Sequence, residues 1–409
     1  MDTVLIPLFL GIALGVGLYA RAIPQGDRSW WRFAAATVAL AIAARLAGHS
    51  WPHSWTATLL ASAAELVAVG MVWSGGTDAA RAAARKYLTA VVLATLCTWA
   101  ALALTGLGTL RPGAPWDKLA VALLLIGVAL KLGLVPVYFW LPAVARASSA
   151  MTTALIVAVV DVGAFCELLT LRETAPWIFT GFAPLWIGLA VLSLLGAALL
   201  ALAQRALKPM LAFSSIDDMG YLLLGLVIGG ADGMAGAWFG ILGHALGKIV
   251  LFGAVGAAEW HLGRAVTLDD RGLSTPLPVA SAAFMLGALG FIGIPPTLGF
   301  IGHWRLYLAG AELGGPLLLT VLYASSAMAL LCYVRVIHRV WLGPAIAGPS
   351  VGTGGQPLPR AAAVVLLVFA VAPVLFGLTP NRLRPAIEPH PHVAELTGPL
   401  VANPLGGVK

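Results

Sequence analysis

Ionisable side chains lie deep inside several long apolar stretches of this sequence. Asp161 is the clearest case, because in the stretch ALIVAVVDVGAF (154–165) every other residue except one glycine is apolar. If such a stretch crosses a membrane, a charge near its middle costs about 2.5–3.5 kcal/mol on insertion scales. A cost of that size favours either a functional group or one partner of a buried ion pair.

The same pattern recurs along the chain and suggests proton chemistry. A buried carboxylate, imidazole or amine can take up and release protons once burial and a charged neighbour have moved its pKa. His244 and Lys248 are four residues apart and would share one helix face. Glu167, six residues after Asp161, is expected on a different face and near the membrane interface. The candidate residues of a proton path are Glu65, Lys131, Asp161, Asp217, Asp218, His244, Lys248 and His303.

The elements that must position these residues are transmembrane helices. Of the 409 residues, 60% are hydrophobic and 10% are charged, whereas soluble domains carry about 25% charged residues. A transmembrane helix needs about 20 predominantly apolar residues. The sequence therefore predicts an all-α polytopic membrane protein of about twelve helices, at about residues 3–22, 32–48, 55–74, 87–106, 117–142, 148–170, 180–203, 209–230, 234–258, 278–310, 316–341 and 360–378.

The positive charges of the chain are interpreted as topology signals. The formal net charge is +7, but the lysines and arginines are scattered in short loops, mainly those after every odd-numbered span. This pattern argues against a nucleic-acid surface. By the positive-inside rule, both termini are expected on the non-cytoplasmic side of a bacterial inner membrane.

No cofactor or metal site is expected. The cysteines Cys97, Cys166 and Cys332 lie within apolar segments and lack metal-binding spacing, so they are interpreted as packing residues. The sequence contains no glycine-rich phosphate loop and no nucleophile elbow. The chain is therefore expected to have no catalytic centre of its own, and whether it serves an enzyme as a subunit stays open.

Prolines interrupt two of the predicted spans. Pro136 lies late in KLGLVPVYFWLP, and Pro295 and Pro296 lie in the middle of GFIGIPPTLGFIGHW. Proline removes a backbone donor, and irregular backbone at membrane depth survives only inside protein or beside a wet cavity. Broken helices in corresponding positions of two halves are typical of an ion site in an inverted-repeat transporter. The alternative is a pair of ordinary proline kinks.

Four stretches, in chain order, carry a family resemblance. They are LLLIGVALKLGLVPVYFWLPAV, ALAQRALKPMLAFSSIDDMGYLLLGL, GHALGKIVLFGAVGAAEW and GIPPTLGFIGHW. These stretches resemble the antiporter-like subunits of respiratory complex I and of the multisubunit cation/proton antiporters, with the N-type subunit most similar. The resemblance runs over about residues 55–340. It implies two inverted repeats of five helices, each with a broken helix, and a row of charged residues across the membrane centre.

The resemblance also implies a division of the chain into segments. Residues 1–54 would form N-terminal helices, about two fewer than in the family, and residues 55–175 the first half-channel repeat. Residues 176–343 would form the second half-channel repeat, and residues 344–409 a loop, the last helix and a polar tail without the family's long lateral helix.

In the first half, the resemblance assigns roles to three charged residues. Glu65 matches the family's glutamate at the edge of the half-channel, and Lys131 matches the lysine at the helix break that pairs with it. Asp161 stands where the family usually has a lysine that relays between the halves. Tyr138 and Ala143 replace the usual histidine and aspartate of the PxHxWLPD pattern.

In the second half, His244 and Lys248 match the family's histidine and lysine, the latter linking the two halves. His303 stands where the family has a lysine or glutamate, the terminal group at the second break. Asp217 and Asp218 replace a serine followed by histidine or glutamine, which adds two acids.

The reversed charge at Asp161 predicts altered transport. An aspartate within about 4–6 Å of Lys131 would, together with Glu65, hold that amine protonated. Alternatively, Asp161 pairs with nothing, stays protonated through burial and acts as a neutral relay. We expect the chain to move protons differently from its lysine-bearing relatives, either passively with gating or in the direction of the gradient.

Several functions are consistent with these residues. The first is a proton-conducting membrane subunit that draws energy from neighbouring subunits, such as those of a quinone reductase or a membrane-bound hydrogenase. A subunit that lets protons flow inward to drive solute uptake, for example of inorganic carbon, is a variant. The second is a cation/proton antiporter module in which Asp161 or Asp217 helps to bind sodium, since carboxylates suit a hard cation. The third is a scaffold whose charges only pair with one another. The expected partners are other membrane subunits, protons, possible sodium ions and lipids, and no nucleic acid.

Overall fold

The computed structural model describes residues 2–50, 55–104, 113, 115–344 and 355–383. Their regular structure is helical, apart from one antiparallel bridge between Ala206 and Thr267. The helices are α1 Asp2–Ala22, α2 Arg28–Ser50, α3 Trp55–Trp73, α4 Asp78–Leu104, α5 Asp117–Lys131, α6 Leu141–Ala147, α7 Ala150–Thr174, α8 Trp177–Thr180, α9 Ala183–Ala203, α10 Leu207–Ile228, α11 Gly230–Leu262, α12 Pro278–Ile292, α13 Leu298–Ala309, α14 Gly315–Trp341 and α15 Arg360–Leu378.

Ten of the described helices are long and apolar enough to span a membrane. The two other predicted spans are interrupted and correspond to α5 with α6 and to α12 with α13. The all-α polytopic prediction is confirmed. The polar tail after residue 383 and most of the loop before α15 lie outside the described residues.

Several helices begin earlier than predicted because polar first turns extend them beyond the apolar run. The helix predicted from about residue 87 begins at Asp78, where Thr77 Oγ1 accepts a hydrogen bond from the Ala80 N–H at 3.0 Å. The added alanines, arginines and lysine are strong helix formers. At the start of α2, Asp27 accepts hydrogen bonds from Ser29 and Trp30, and these bonds lower the pKa of the Asp27 carboxyl.

Both predicted breaks are present. After α5 ends at Lys131, Gly133 adopts a φ of 63° and the chain becomes helical again only at Leu141. After α12 ends, Gly293 adopts a φ of 78°, and Thr297 caps the start of α13. His303, which the family resemblance places at this break, lies inside α13.

Three π-helical segments were not predicted, at Ile156–Val160, Gly310–Gly314 and Ile337–Trp341, and the first lies at a candidate site residue. Within α7, residues Ile156–Val160 form a π-helical turn, immediately before Asp161. Such turns insert one residue into an α-helix and occur frequently at functional sites. Its sequence, IVAVV, contains neither proline nor glycine, so no local signal marks it.

The centre of the molecule consists of α10 and α11, whose apolar windows are 94% and 100% buried. A helix that is apolar all round is expected in such a central position. Helix α9 packs closely against α10 at Gly220, where an added Cβ atom would lie 2.7 Å from the Leu194 backbone nitrogen and 2.9 Å from the Ala190 carbonyl oxygen. Glycine at this position lets the two backbones approach each other.

We expect Gly220→Ala to destabilise the protein by about 1–3 kcal/mol, because the methyl group would push two backbones apart. The measurement is the thermal unfolding midpoint of the purified protein in detergent. Gly188→Ala on α9 is the matched control, since nothing lies within 4 Å of its added Cβ. Equal midpoints for the two variants would contradict this packing.

Candidate functional site

Three charged residues form an ion-pair group at the first helix break, which we call the first cluster: Glu65, Lys131 and Glu167. The Lys131 Nζ atom lies 2.9 Å from Glu65 Oε1 and 2.9 Å from Glu167 Oε2. Lys131 is the last residue of α5, where the helix dipole favours a cation. The contact between Glu65 and Lys131 matches the pairing implied by the family resemblance.

Glu167 was underestimated by the sequence analysis. Its side chain is 35% exposed, in keeping with its position towards the helix end, yet it contacts Lys131 as closely as Glu65 does. Spacing relative to Asp161 could not reveal this contact. The residue that contacts Glu167, Lys131, belongs to α5 and not to the helix of Glu167.

A cavity, which we call the first cavity, adjoins the first cluster. It is lined by the end of α2, the beginning of α3, the end of α4 and the second half of α7. Arg45, Thr58 and Thr170 are among its polar lining residues, together with the three members of the first cluster. The cavity can therefore bring solvent or ions to Lys131.

Asp161 is buried and does not join the first cluster. It is 1% exposed, and neither of its carboxylate oxygens has a hydrogen-bond partner. The structure therefore forms no Asp161–Lys131 ion pair, which corresponds to the second of the two alternatives, an Asp161 that pairs with nothing. The second acid on Lys131 is Glu167. Val160 and Gly163, on either side of Asp161 in the sequence of α7, line the first cavity together with Lys131.

A second group of polar side chains, the second cluster, connects α10 and α11. His244 Nδ1 lies 2.6 Å from Asp218 Oδ2, and Lys248 Nζ donates to Ser214 Oγ at 3.0 Å. Because Asp218 and Ser214 are four residues apart on α10, as His244 and Lys248 are on α11, the two pairs form successive rungs between antiparallel helices. Lys248 is fully buried and also donates to the Leu211 carbonyl at 3.2 Å.

Asp217 and Asp218 point to different neighbours. Asp217 Oδ1 accepts a hydrogen bond from Ser325 of α14 at 2.8 Å, whereas Asp218 faces α11. This difference follows from the rotation of about 100° between adjacent residues of an α-helix.

His303 lies beside the second cluster. A small cavity is lined by both aspartates, Ser325, Tyr221 and His303, and the His303 Nδ1 atom is buried without a hydrogen-bond partner. The ring packs edge-to-face on Tyr221, with the ring centroids 4.6 Å apart. Asp217, Asp218 and His303 therefore surround one shared polar space, and Ser214, the hydrogen-bond partner of Lys248, also lines it.

Helix α7 connects the two clusters. Its end carries Glu167 of the first cluster, and its π-helical turn packs against α11, the helix that carries His244. Arg172, counted as a loop charge in the sequence analysis, is buried and donates to the Leu226 carbonyl of α10 at 3.1 Å. Asp161 lies between these contacts on the same helix.

Two further ion pairs lie towards the helix ends. Arg305 of α13 lies 2.5 Å from Asp232 at the beginning of α11, and Lys208 of α10 lies 3.0 Å from Glu259 near the end of α11. From their positions in the sequence, both basic residues are predicted to act as topology signals. The structure shows that each also ties two helices together.

The comparisons with known proteins agree with this architecture. Residues 92–329 match the family described as NADH:quinone oxidoreductase/Mrp antiporter, TM. The NADH-quinone oxidoreductase subunit N of Desulforudis audaxviator is 33% identical over 276 residues, which cover 64% of this chain and 54% of that protein. This chain spans about half the length of the curated relatives it matches.

Solved structures share the fold over nearly the whole chain. A chain of respiratory complex I from Thermus thermophilus has a TM-score of 0.73 at 25% identity, covering 93% of this chain and 85% of that chain. A chain of an archaeal membrane-bound sulfane sulfur reductase has a TM-score of 0.83 at 22% identity, covering 95% of this chain and 67% of that chain.

Proposed function

Because this chain belongs to the NADH:quinone oxidoreductase/Mrp antiporter transmembrane family, as its motifs predicted, we propose that it is a proton-conducting subunit of a larger energy-converting membrane complex. The observation that carries the proposal is the pair of charged clusters bridged by α7. The first cluster lies at a helix break and the second on the central helices α10 and α11. Burial of an ionisable side chain at membrane depth costs free energy, so such residues usually have a function.

The proposed path begins at Glu65 and Lys131 and continues through Asp161. The second half then takes over at His244 and Lys248, with His303 as the terminal group. A lone buried carboxyl such as Asp161 can pass a proton on without an ion partner, since a neutral acid both donates and accepts hydrogen bonds.

In the second half, the acids supply partners to the bases. Asp218 orients His244 through the contact of 2.6 Å. Asp217, Ser325 and His303 line one polar cavity, which gives a proton leaving Lys248 a place to go. We propose that the two halves are the segments 55–175 and 176–343.

The energy must come from partner subunits. The proposed path consists of ionisable side chains. Proton exchange among them changes neither the total charge nor the oxidation state of the chain, so it supplies no energy for transport. We propose that other membrane subunits, such as those of an oxidoreductase, set the direction of flow. The proposed location is a bacterial inner membrane.

The topology follows from the helix order. One membrane side carries Arg21 near the end of α1, Arg85 near the beginning of α4 and Arg146 near the end of α6. We call it the basic side. We propose that the basic side faces the cytoplasm and that both termini lie on the opposite side.

One observation favours a second candidate, a cation/proton antiporter module. The carboxylate of Asp217 and the hydroxyl groups of Ser214, Ser325 and Ser326 line the same small cavity. Such oxygen atoms suit a hard cation such as sodium. In this case Asp217, rather than Asp161, would be the cation ligand.

The test is proton flux through the complete complex in liposomes, followed with a pH-sensitive dye inside. We expect Lys248→Met to reduce the flux by at least about tenfold, which corresponds to about 1.4 kcal/mol in the barrier. Lys86→Met, at an exposed position of α4, is the matched control and should conduct like the parent.

Sodium separates the two candidates in the same liposomes. A proton flux that requires a sodium gradient would favour the antiporter module over the proton conductor. Unchanged flux in Lys248→Met would contradict the proposed path through the second half.

A further inference from the structure

The first cavity extends from the first cluster towards the side opposite the basic side. Ala61 in the first half of α3, Arg45 near the end of α2 and Thr170 near the end of α7 line it. If each helix crosses the membrane, all three positions lie between the membrane centre and the side opposite the basic side. The cavity therefore connects Lys131 with that side.

Glu167 is the member of the first cluster with the greatest access to this space. Its side chain is 35% exposed, compared with 4% for Glu65 and 11% for Lys131. A proton that reaches Lys131 through the cavity would therefore meet Glu167 before it meets the buried pair.

Towards the basic side, aromatic and aliphatic groups cover Lys131. Trp140 is fully buried, stacks on Tyr87 with ring centroids 4.4 Å apart, and donates from its indole nitrogen to the Leu130 carbonyl at 2.9 Å. Leu134 and Leu141 are also fully buried. In this conformation these buried side chains, Tyr87, Leu134, Trp140 and Leu141, separate the first cluster from the basic side.

We propose that Glu167 is the port through which Lys131 exchanges protons with the solution on the side opposite the basic side. The Glu167 carboxyl takes up a proton from the cavity and passes it to the neutral Lys131 amine, which becomes the ammonium ion while Glu167 returns to the carboxylate. Lys131 becomes neutral beforehand by passing its proton to Asp161, whose neutral carboxyl accepts that proton on one oxygen and releases the proton of its other oxygen towards the second half. The reverse sequence releases a proton to the same side.

This inference rests on the proposed proton conduction but adds a residue and an access side to it. The relay between the halves would work equally well with access from the basic side. The proposal that Glu167 is the port can therefore be wrong even if the proposed proton conduction is right.

Cysteine labelling tests the access side without requiring conduction. In the complete complex, with Cys97, Cys166 and Cys332 replaced by serine, Ala61→Cys places a thiol in the first cavity one turn from Glu65. A membrane-impermeant maleimide is added to one side of sealed vesicles at a time. Arg85→Cys, exposed at the basic side, is the matched control.

We expect Ala61→Cys to react from the side opposite to the one from which Arg85→Cys reacts, at a rate at least about tenfold above its rate from the other side. Reaction of both thiols from the same side would overturn the proposal. Failure of Ala61→Cys to react from either side would overturn it as well, because the cavity would then be closed.

Flux separates the port from the path. We expect Glu167→Gln to lower proton flux by about tenfold, whereas Glu312→Gln, at an exposed glutamate of the same membrane side, leaves it unchanged. If Lys131→Ala stops the flux and Glu167→Gln does not, the port is wrong and the conduction stands. If neither variant changes the flux, the proposed conduction fails, and the port falls with it.

Discussion

Replacement of Lys131 by alanine is expected to nearly abolish proton flux, reducing it by at least about a hundredfold, or about 2.7 kcal/mol in the barrier. Lys131 lies 2.9 Å from each of two carboxylates and lines the first cavity, so it is placed to receive protons from that cavity. The measurement is the initial rate of internal acidification in liposomes that contain the complete complex, at a fixed imposed gradient.

The same substitution should destabilise the protein, because it leaves a buried carboxylate at Glu65 without its counter-ion. Removal of one partner from a buried pair typically costs about 3–5 kcal/mol. The combination of Lys131→Met with Glu65→Gln removes the unpaired charge and should restore stability without restoring flux. Recovery of flux in this double variant would show that Lys131 has only a structural role.

Asp161→Asn is expected to reduce proton flux by at least about tenfold while leaving stability nearly unchanged. An amide keeps the shape of the side chain but is unable to exchange a proton. Because neither oxygen of Asp161 has a hydrogen-bond partner, the substitution breaks no hydrogen bond. The measurements are dye-detected flux and the thermal unfolding midpoint of the same preparation.

This separation of flux from stability distinguishes a relay from a structural charge. If Asp161 were structural, Asp161→Asn would lower the unfolding midpoint and leave the flux of the folded protein intact. Asp161→Glu is the matched control, because it retains an exchangeable proton at nearly the same position. We expect it to conduct more than the asparagine variant.

The breaks and the first ion pair could be predicted from the sequence. Prolines inside apolar runs mark the breaks, since proline removes a backbone donor. Lys131 at the end of such a run needs a counter-ion, and the family motif names Glu65 as that partner. Their contact of 2.9 Å agrees with the pairing that the family resemblance implies.

Features that depend on three-dimensional packing could not be predicted. Glu167 meets Lys131 because α7 packs beside α5, and no spacing within either helix encodes that contact. The π-helical turn before Asp161 lies in a sequence of valine, isoleucine and alanine that would equally form an ordinary α-helix. The different neighbours of Asp217 and Asp218 became clear only with the positions of α11 and α14.

One sequence-based expectation changes its basis rather than its content. In one of the two alternatives drawn from the sequence, Glu65 and Asp161 together hold the Lys131 amine protonated. The structure places two acids on Lys131, but the second is Glu167 instead of Asp161. Transport that follows the gradient, or passive transport with gating, therefore stays our expectation for this chain.

The proposed conduction along buried charges is tested most directly by one comparison in liposomes. Parent, Lys131→Ala and Asp161→Asn complexes are reconstituted at equal density, and internal pH is followed while the imposed gradient is varied in size and direction. We expect rapid flux in the parent, a strongly altered flux in Asp161→Asn and almost none in Lys131→Ala. Equal flux in all three would contradict the account and would show that the buried charges only hold the helices together.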